Sequence, residues 1–388
     1  MFSHRLPIDL SENRLTLALA HTTDYIDLTV SNPTAVGISY PPDLLNALAD
    51  PAGLRYHPAP LGMPQARHAV AEFYRTRGVD IGSERILLTA STSEAYSYLF
   101  KLLCDPGDEV LVPQPSYPLF AHLAELDSVK LRPYPLRHLD GWFLDLEEVR
   151  RALTPKTRAI LVVNPNNPTG SFLKREELDA LDGLAAEHGI ALISDEVFAD
   201  YVRTGAPTAP RTLIGPRAAL TFSLSGLSKT IGLPQLKLGW IAMSGPPREI
   251  AGARIRLEHI ADTYLSVGTP IQLALPDLLD NGALLQPRIS ARVAENHARL
   301  RSAVAAVAAI ELYESEGGWY DILRIPAIMS EEEWAIALLM RDRVLVHPGF
   351  FFDFDGRGAA HLVLSLLPEA ESFAEGTARL SARVVAEL

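Results

Sequence analysis

Short apolar runs alternate along the chain with stretches whose apolar residues recur every three or four positions. The first kind of run predicts buried strands, and the helical spacing predicts helices that pack by one face. The predicted strands cover residues 86–90, 105–113 with its leading turn, 159–163, 190–195, 317–323, 344–349 and 361–367. The predicted helices cover residues 64–77, 91–103, 248–260 and 287–309, whereas prolines keep residues 1–45 irregular. This alternation predicts an α/β fold.

Polar residues gather where the predicted strands end. In an open α/β sheet, the carboxyl ends of the strands form the edge that binds ligands. The turn Ser91-Thr92-Ser93 opens a helix, where free backbone N–H groups and the helix dipole favour an anion, although an ordinary helix cap uses the same residue types. Tyr117 follows a second strand, Asn167 follows a third within two Asn-Pro pairs, and Asp195 ends a fourth. These residues are candidates for one shared site.

A lysine with small neighbours is the candidate nucleophile. Lys229 lies close to Gly226, Ser228 and Gly232, which leave room for a planar ligand. A lysine attacks a carbonyl only as the free amine, so this role requires surroundings that lower its pKa. A lone Ser-Lys pair is more often a solvated loop lysine. The strand-end residues upstream favour the nucleophile, and Lys237 adds a second positive charge eight positions later.

The composition narrows the possible functions. The chain has 388 residues, 48% of them hydrophobic, which suffices for one large domain with a smaller companion. A net charge of −12 does not predict a basic surface that would bind nucleic acid or anionic lipid. Cys104 is the single cysteine, so no intrachain disulfide is possible and a reducing compartment is expected. Charges interrupt the first residues and no apolar run of ~18 residues follows, so we expect a soluble, cytoplasmic protein without membrane partners.

The assembled motifs resemble those of the class I/II aminotransferases, which are fold-type I pyridoxal-phosphate enzymes. The pattern Ser-Lys-x4-Pro-x2-Lys-x-Gly-Trp and the tetrapeptide Asn-Pro-Thr-Gly carry the resemblance, which runs over nearly the whole chain. It implies a large domain with a mixed, mostly parallel seven-stranded sheet between helices, and a smaller α/β C-terminal domain. The expected limits are 1–45 for an N-terminal segment joining the small domain, 46–275 for the large domain and 276–388 for the small domain. The cofactor it implies is pyridoxal 5′-phosphate.

The resemblance implies a role for each motif residue. Lys229 would hold the cofactor as an internal aldimine, Asp195 would pair with the pyridine nitrogen, and Tyr117 would stack on the ring. Asn167 would donate to the 3′ oxygen, and Tyr56 would reach the partner subunit's cofactor phosphate in a homodimer. The implied catalytic residues are Lys229, Asp195 and Tyr117. The implied cofactor-binding residues are Tyr56, Ser91, Thr92, Ser93, Tyr117, Asn167, Asp195, Lys229 and Lys237, and no metal site is expected.

Several positions depart from the family pattern. Phe198 replaces a tyrosine that bonds the 3′ oxygen, so the pKa of the lysine adduct is expected to differ from that of the usual family member; Tyr201 lies three residues further on. Val363 replaces the arginine that grips the substrate carboxylate, and Lys237 replaces an arginine at the phosphate. The remaining candidates for the carboxylate are Asn32, Arg324, Arg357 and Lys237, of which we retain Asn32 and Arg324 as substrate-binding residues.

Three features near the candidate residues can also be explained by structure alone, without a functional role. Asn32 precedes a proline, and Asn-Pro is by itself a turn signal. Glu196 follows Asp195 and points the other way on a strand, which predicts a surface or domain-contact position. The aromatic-rich segment at 347–352 fits an apolar core as well as a substrate pocket.

The residues together predict an aminotransferase that moves an amino group between an amino acid and a 2-oxo acid through Lys229. Its carboxylate contact would be non-standard because Val363 stands in place of the arginine. A pyridoxal-phosphate-dependent lyase or decarboxylase of the same fold is the alternative, since the carboxylate anchor decides which substrate bond breaks. A non-enzymatic binding domain would need a basic helix-turn-helix segment, which the N-terminus lacks. An unrelated nucleotide-binding protein would need a Gly-x-Gly-x-x-Gly or Gly-x4-Gly-Lys-Ser/Thr turn, and the sequence has neither.

Overall fold

The structure is a computed structural model that describes residues 2–7, 10–203, 210–354 and 358–388. Its helices are α1 (Arg14–Ala20), α2 (Pro64–Arg75), α3 (Thr92–Leu103), α4 (Leu119–Leu126), α5 (Leu146–Ala152), α6 (Arg175–His188), α7 (Leu227–Thr230), α8 (Pro247–Tyr264), α9 (Thr269–Gly282), α10 (Leu285–Ala305), α11 (Glu331–Ala337) and α12 (Ala370–Glu387). Its strands are β1 (Ile26–Asp27), β2 (Ile86–Thr89), β3 (Glu109–Gln114), β4 (Lys130–His138), β5 (Trp142–Leu144), β6 (Thr157–Val163), β7 (Ala191–Asp195), β8 (Thr221–Gly226), β9 (Gly239–Ser244), β10 (Glu311–Tyr313), β11 (Tyr320–Ile325), β12 (Val344–Leu345), β13 (His347–Pro348) and β14 (Ala360–Ser365).

The larger sheet is mixed and mostly parallel, as predicted. Its strand order is β2-β9-β8-β7-β6-β3-β4-β5. The neighbours from β8 to β4 pair in parallel, whereas β9 is antiparallel to both of its neighbours and β5 is antiparallel to β4. The predicted number of seven strands was wrong for the described residues, which form eight. β5 is only three residues long, so it gives no apolar run that a sequence pattern can detect.

Helices cover both faces of this sheet, which explains its continuous apolar strands. Every residue of β2, β7, β8 and β9 is buried, as expected for strands that contact helices on each side. Along β2, side chains alternate between the two faces. Leu87 packs in the cluster that contains α3 and α8, whereas Ile86 and Leu88 pack in the cluster that contains α2 and α9.

A smaller antiparallel sheet forms the second core. Its strand order is β10-β11-β14-β13, and Trp319, Trp334 and Phe373 are fully buried in the cluster around it. The short strand β1 pairs in parallel with β12. Leu28 then donates to the carbonyl of Leu345 at 2.9 Å, so the start of the chain contacts its C-terminal part. The limits of the large domain at 46–275 and of the small domain at 276–388 stay predictions.

The described residues outside the candidate site offer few reactive or ligand-binding groups. No helix in the described ranges is long and apolar enough to cross a membrane. Those ranges also contain no group of three His, Cys, Asp or Glu side chains that could hold a metal ion. Cys104 is a free thiol at the end of α3, and burial raises its pKa to about 12. Because the thiolate is the reactive form, this cysteine is a structural residue.

Candidate active site

The carboxyl ends of the parallel strands bring the predicted residues to one edge of the large sheet. The register pairs Val163 of β6 with Asp195 of β7, and Asp195 with Leu224 of β8, so three strands end at the same level. Ligand sites of open α/β sheets occupy this edge. The chain delivers to it Ser91 after β2, Tyr117 after β3, Asn167 after β6, Asp195 at the end of β7 and Lys229 after β8.

Lys229 lies in α7, one turn after the glycine that ends β8. Its Nζ donates to the backbone carbonyl of Ser31 at 3.3 Å. The same atom is 4.7 Å from the ring centre of Trp319 and 5.4 Å from that of Phe198. Burial among these groups lowers the pKa of Lys229 to about 8, although the negative charge of Asp195 acts in the opposite direction. The structure thus gives the lysine the surroundings that a nucleophilic amine requires.

The hydroxyl of Tyr201 supports the backbone of the lysine. It donates to the carbonyl of Lys229 at 2.6 Å, and its ring packs edge to face on Trp319 with centres 4.9 Å apart. Phe198 is buried beside the same tryptophan, at a centre distance of 5.2 Å. Tyr201 therefore has a task of its own, and nothing in this arrangement makes it a substitute for the hydroxyl that Phe198 lacks.

Asp195 is a buried carboxylate with two protein donors. Its Oδ1 accepts from the backbone N–H of Val197 at 3.1 Å, and its Oδ2 accepts from the hydroxyl of Tyr96 at 2.8 Å. Burial raises the pKa of Asp195, whereas these two hydrogen bonds and the charge of Lys229 lower it. Sequence reasoning missed Tyr96. The available signal was a polar tip on the apolar face of the predicted helix at 91–103.

The start of α3 forms a turn suited to an anion, which we call the α3 entry turn (Ser91–Ser93). Ser91 caps the helix, because its Oγ accepts from the N–H of Glu94 at 3.1 Å. The hydroxyls of Thr92 and Ser93 lie beside the first amides of this twelve-residue helix, where the helix dipole is positive. Gly239 of β9 packs against the turn: a Cβ there would lie 3.2 Å from the carbonyl carbon of Ser91 and from the nitrogen of Thr92. Ordinary capping and anion binding are compatible here.

Lys237 and Tyr56 are both exposed in the single chain. Lys237 adopts a left-handed conformation with φ of 50°, two residues before Gly239. Tyr56 is 78% exposed, and its neighbour Leu54 is 93% exposed. The contacts predicted for both residues, with the phosphate in the same subunit and in the partner subunit respectively, stay predictions.

Tyr117 and Asn167 flank a group of unpaired polar atoms. Tyr117 is 41% exposed and meets Phe120 edge to face with ring centres 6.0 Å apart. Among the described residues, Ser116 Oγ, Asn166 Oδ1 and Asn167 Oδ1 are buried without a hydrogen-bond partner. Asn166 Nδ2 donates to the carbonyl of Pro115 at 3.4 Å, so the segments that carry these atoms are in contact. Buried polar atoms are normally paired, so three unpaired atoms on these two segments indicate that a polar ligand belongs there.

The predicted substrate residues are less well supported. Asn32 is exposed and caps a 3-10 turn, because its Oδ1 accepts from the N–H of Thr34 at 3.1 Å. Arg324 pairs with Glu311 at 3.0 Å and lies four residues after Tyr320 on β11, roughly 13 Å along the strand. Their contacts to substrate stay predictions. Arg357 lies outside the described residues.

Val363 and part of the aromatic segment lie in the core of the smaller sheet. Val363 is fully buried on β14, paired with Ile322 of β11. Phe352 is also buried, its ring centre lies 6.4 Å from that of Tyr320, and its carbonyl accepts from the N–H of Ser116 at 2.9 Å. Phe352 is therefore part of the core and contacts the loop that leads to Tyr117, whereas Phe350 in the same segment is 42% exposed.

The predicted surface position of Glu196 was wrong. Its side chain is 3% exposed and accepts from Thr212 Oγ1 at 2.6 Å, from the N–H of Leu213 at 2.8 Å and from Ser223 Oγ at 2.8 Å. Every residue of β7 is buried, so the other face of the sheet, to which alternation turns Glu196, is not a surface. Burial raises the pKa of this carboxyl group to about 7.

Comparison with known proteins decides the family. The sequence model of aminotransferase class I and II matches residues 23–363. The chain belongs to this family. The glutamate-pyruvate aminotransferase AlaA of Escherichia coli K12 is 27% identical to this aminotransferase over 337 residues, which cover 85% of this chain and 83% of the relative. The aspartate/prephenate aminotransferase of Thermus thermophilus is 31% identical over 334 residues, which cover 84% and 82%. The solved structure of an alanine aminotransferase from Pyrococcus furiosus superposes with a TM-score of 0.87 at 26% identity, covering 96% of this chain and 95% of the other.

The aminotransferase depends on pyridoxal phosphate, and the residues present fit this group. The α3 entry turn, into which Gly239 packs without a Cβ, suits the phosphate. The buried carboxylate of Asp195 suits a protonated ring nitrogen, and the lowered pKa of Lys229 suits an amine that attacks an aldehyde. Ser116 Oγ, a hydroxyl that can donate or accept, is buried without a partner next to Tyr117, so a polar ligand can bond to it.

Proposed function

We propose that this aminotransferase moves an amino group between an amino acid and a 2-oxo acid while Lys229 holds pyridoxal phosphate covalently. The partly buried amine of Lys229, which donates to the carbonyl of Ser31 and whose pKa burial lowers to about 8, carries the proposal. An ordinary lysine, with a pKa of about 10.4, offers little free amine near neutral pH. The bound cofactor supplies an electron-withdrawing ring that stabilises negative charge at the substrate Cα.

Each residue of the site has a task in this proposal. The carboxylate of Asp195 pairs with the ring nitrogen and keeps it protonated. With the cofactor bound, the Nζ of Lys229 would be the base that removes the proton from the substrate Cα. Tyr117 covers one face of the ring. The α3 entry turn and Lys237 bind the phosphate, and Asn167 binds the 3′ oxygen.

The substrate carboxylate is proposed to bind without an arginine from β14. Val363 is fully buried at that position and belongs to the core. The segment around Asn32 is the first candidate, because the carbonyl of the preceding residue, Ser31, lies 3.3 Å from Lys229 Nζ. Arg324 is the second. If either side chain binds the carboxylate, its replacement by alanine should raise KM about tenfold for an amino acid but not for the corresponding amine, since a hydrogen bond to a charge is lost.

The covalent role of Lys229 has a direct test. Borohydride reduction of the purified protein with pyridoxal phosphate should fix the cofactor on the peptide that contains Lys229, as seen by mass spectrometry. Lys229→Ala should lose both the adduct and turnover, whereas Lys130→Ala, which removes an exposed lysine on β4, should retain both. An adduct on another lysine, or full turnover in Lys229→Ala, would refute the assignment.

The reaction type is tested by its products. After incubation with candidate amino acids, the proposal expects the pyridoxamine form of the cofactor together with a 2-oxo acid, and a second 2-oxo acid should restore the starting form. Release of ammonia or CO2 in stoichiometric amounts would instead favour the lyase or decarboxylase. That alternative is kept because Val363 leaves the carboxylate without the usual anchor.

A homodimer in the cytoplasm completes the proposal. The exposed side chains of Leu54 and Tyr56 support an interface, because large apolar groups at such exposure are typical of contact surfaces. The single Cys104 and the absence of a disulfide pair fit a reducing compartment. Light scattering should give twice the chain mass, and Tyr56→Phe should weaken cofactor retention without changing that mass. A monomer that binds the cofactor fully would contradict the crossed contact.

A further inference from the structure

A buried tyrosine hydroxyl lies directly behind the carboxylate of Asp195. Tyr96 is on the inner face of α3, is 2% exposed, and donates to Oδ2 of Asp195 at 2.8 Å. The other oxygen, Oδ1, accepts from the backbone N–H of Val197 at 3.1 Å. Each carboxylate oxygen thus has one protein donor. The two donors together fix the plane of the carboxylate and leave its remaining lone pairs for a ligand.

Packing restricts the ring of Tyr96. Its centre is 5.1 Å from that of Phe120 and 6.1 Å from that of Phe100. Phe120 in turn meets Tyr117 edge to face with centres 6.0 Å apart. A row of aromatic contacts therefore connects the tyrosine behind Asp195 with the tyrosine that is proposed to cover the cofactor. A donor locked by packing holds its acceptor in one geometry.

The surroundings of Asp195 make such a donor valuable. Burial disfavours the ionised carboxylate and raises its pKa, whereas the hydrogen bonds from Val197 and Tyr96 and the charge of Lys229 lower it. A protonated Asp195 would lose its charge interaction with a protonated ring nitrogen. Removing one donor should therefore weaken the interaction most at the acid end of the pH range.

We propose that Tyr96 is a positioning residue whose hydroxyl holds the carboxylate of Asp195 as an oriented anion for the pyridine nitrogen of the cofactor. The inference rests on the proposed function, because it requires Asp195 to contact the cofactor. Tyr96 acts through Asp195 and not on the substrate. It is also the donor that the sequence patterns did not reveal.

The experiment removes the hydroxyl and keeps the ring. Wild-type and Tyr96→Phe holoenzymes are dialysed between pH 5 and pH 9, and the cofactor that stays bound is measured by absorbance. We expect Tyr96→Phe to retain the cofactor about tenfold less tightly near neutral pH, as for the loss of one hydrogen bond to a charged group. The pH at which half of the cofactor is released should move upward, because Asp195 then takes up a proton at higher pH.

Tyr134→Phe is the matched control. Tyr134 is 1% exposed and donates to the carbonyl of Leu161 at 2.9 Å, so its replacement removes an equally buried hydroxyl away from the carboxylate. It should leave both the affinity and the pH of half-release unchanged. If Tyr134→Phe changed both as much as Tyr96→Phe does, general loss of stability would explain the effect and the proposal would fail.

A double-mutant cycle separates the proposal from the function on which it rests. Asp195→Asn should weaken cofactor retention, and Tyr96→Phe should add less than about twofold in that background. If Asp195→Asn weakens retention but Tyr96→Phe matches the wild type at every pH, Tyr96 has no positioning role and the proposed function stands. If Asp195→Asn itself binds like the wild type, the proposed contact of Asp195 is wrong. Should Tyr96→Phe not fold, Phe100→Leu, which loosens the packing of the Tyr96 ring, takes its place, and an unchanged pH of half-release in that variant would overturn the proposal.

Discussion

Glu196→Gln replaces a buried carboxyl group whose ionisation the fold opposes. The side chain is 3% exposed, and burial raises its pKa from 4.5 to about 7 although Thr212, Leu213 and Ser223 donate hydrogen bonds that lower it. A carboxyl group with a higher pKa in the folded protein holds its proton more tightly there than in the unfolded chain. The contribution of Glu196 to stability is therefore complete at low pH, is lost as the pH rises from 4.5 to about 7, and stays lost above that.

The magnitude follows from the two pKa values. The difference between 4.5 and about 7 corresponds to about 3 kcal/mol in the free energy of unfolding. Glutamine keeps the size of the side chain and one acceptor oxygen but cannot ionise. The free energy of unfolding of Glu196→Gln, relative to that of the wild type, should thus increase by about 2 to 3 kcal/mol between pH 5 and pH 8.

Urea unfolding at intervals across that pH range measures the difference directly. Glu125→Gln, which neutralises an exposed carboxylate on α4, is the control, and its difference from the wild type should stay within about 0.5 kcal/mol. A flat difference for Glu196→Gln would show that the buried carboxylate ionises as easily as an exposed one. The argument from burial would then be refuted.

Two further substitutions test other contacts. Asp321→Asn removes the charge that pairs with Arg203 and with His297 at 2.8 Å in a fully buried position, so the free energy of unfolding should fall by about 3–5 kcal/mol; a loss below about 1 kcal/mol in urea unfolding would contradict this. Gly239→Ala places a Cβ 3.1–3.2 Å from backbone atoms of the α3 entry turn and of β8, so cofactor retention in dialysis should weaken about tenfold. Gly183→Ala, where a Cβ meets open space, should retain the cofactor normally, and equal retention by both variants would refute the close-packing argument.

Residues next to a strand end could be predicted from the sequence. Asn167 and Asp195 follow continuous apolar runs, and such runs identify buried parallel strands whose carboxyl ends meet at one edge. Lys229 follows a strand in the same way. Local periodicity predicted four strands of the large sheet and the helices α2, α3 and α8 over it, whereas the mixed sheet was implied by the family resemblance. The strands β4, β8 and β9 were not predicted from the pattern, and the three-residue strand β5 was too short to give one.

Contacts between distant parts of the chain could not be predicted. Tyr96 and Asp195 are 99 positions apart, and Ser31 and Lys229 are 198 apart, so no local pattern relates the members of either pair. The surface prediction for Glu196 was wrong for another reason: alternation turns a side chain to the other face of the sheet, and both faces of β7 are buried. The sequence does not identify the residue that binds the substrate carboxylate, because Val363 stands at the one position where the family pattern has an arginine.

The position of the N-terminal segment has a consequence for biosynthesis. Leu28 accepts from the N–H of Ser365 at 2.7 Å and donates to the carbonyl of Leu345, while Ser31 lies against Lys229. A ribosome makes residues 26–31 early and their partners in β12 and β14 near the end of translation. One side of the lysine site can therefore form only when almost the whole polypeptide has been made. Such pairing between early and late residues is slow to form. Nascent chains stalled before β14 should therefore leave the lysine open on that side.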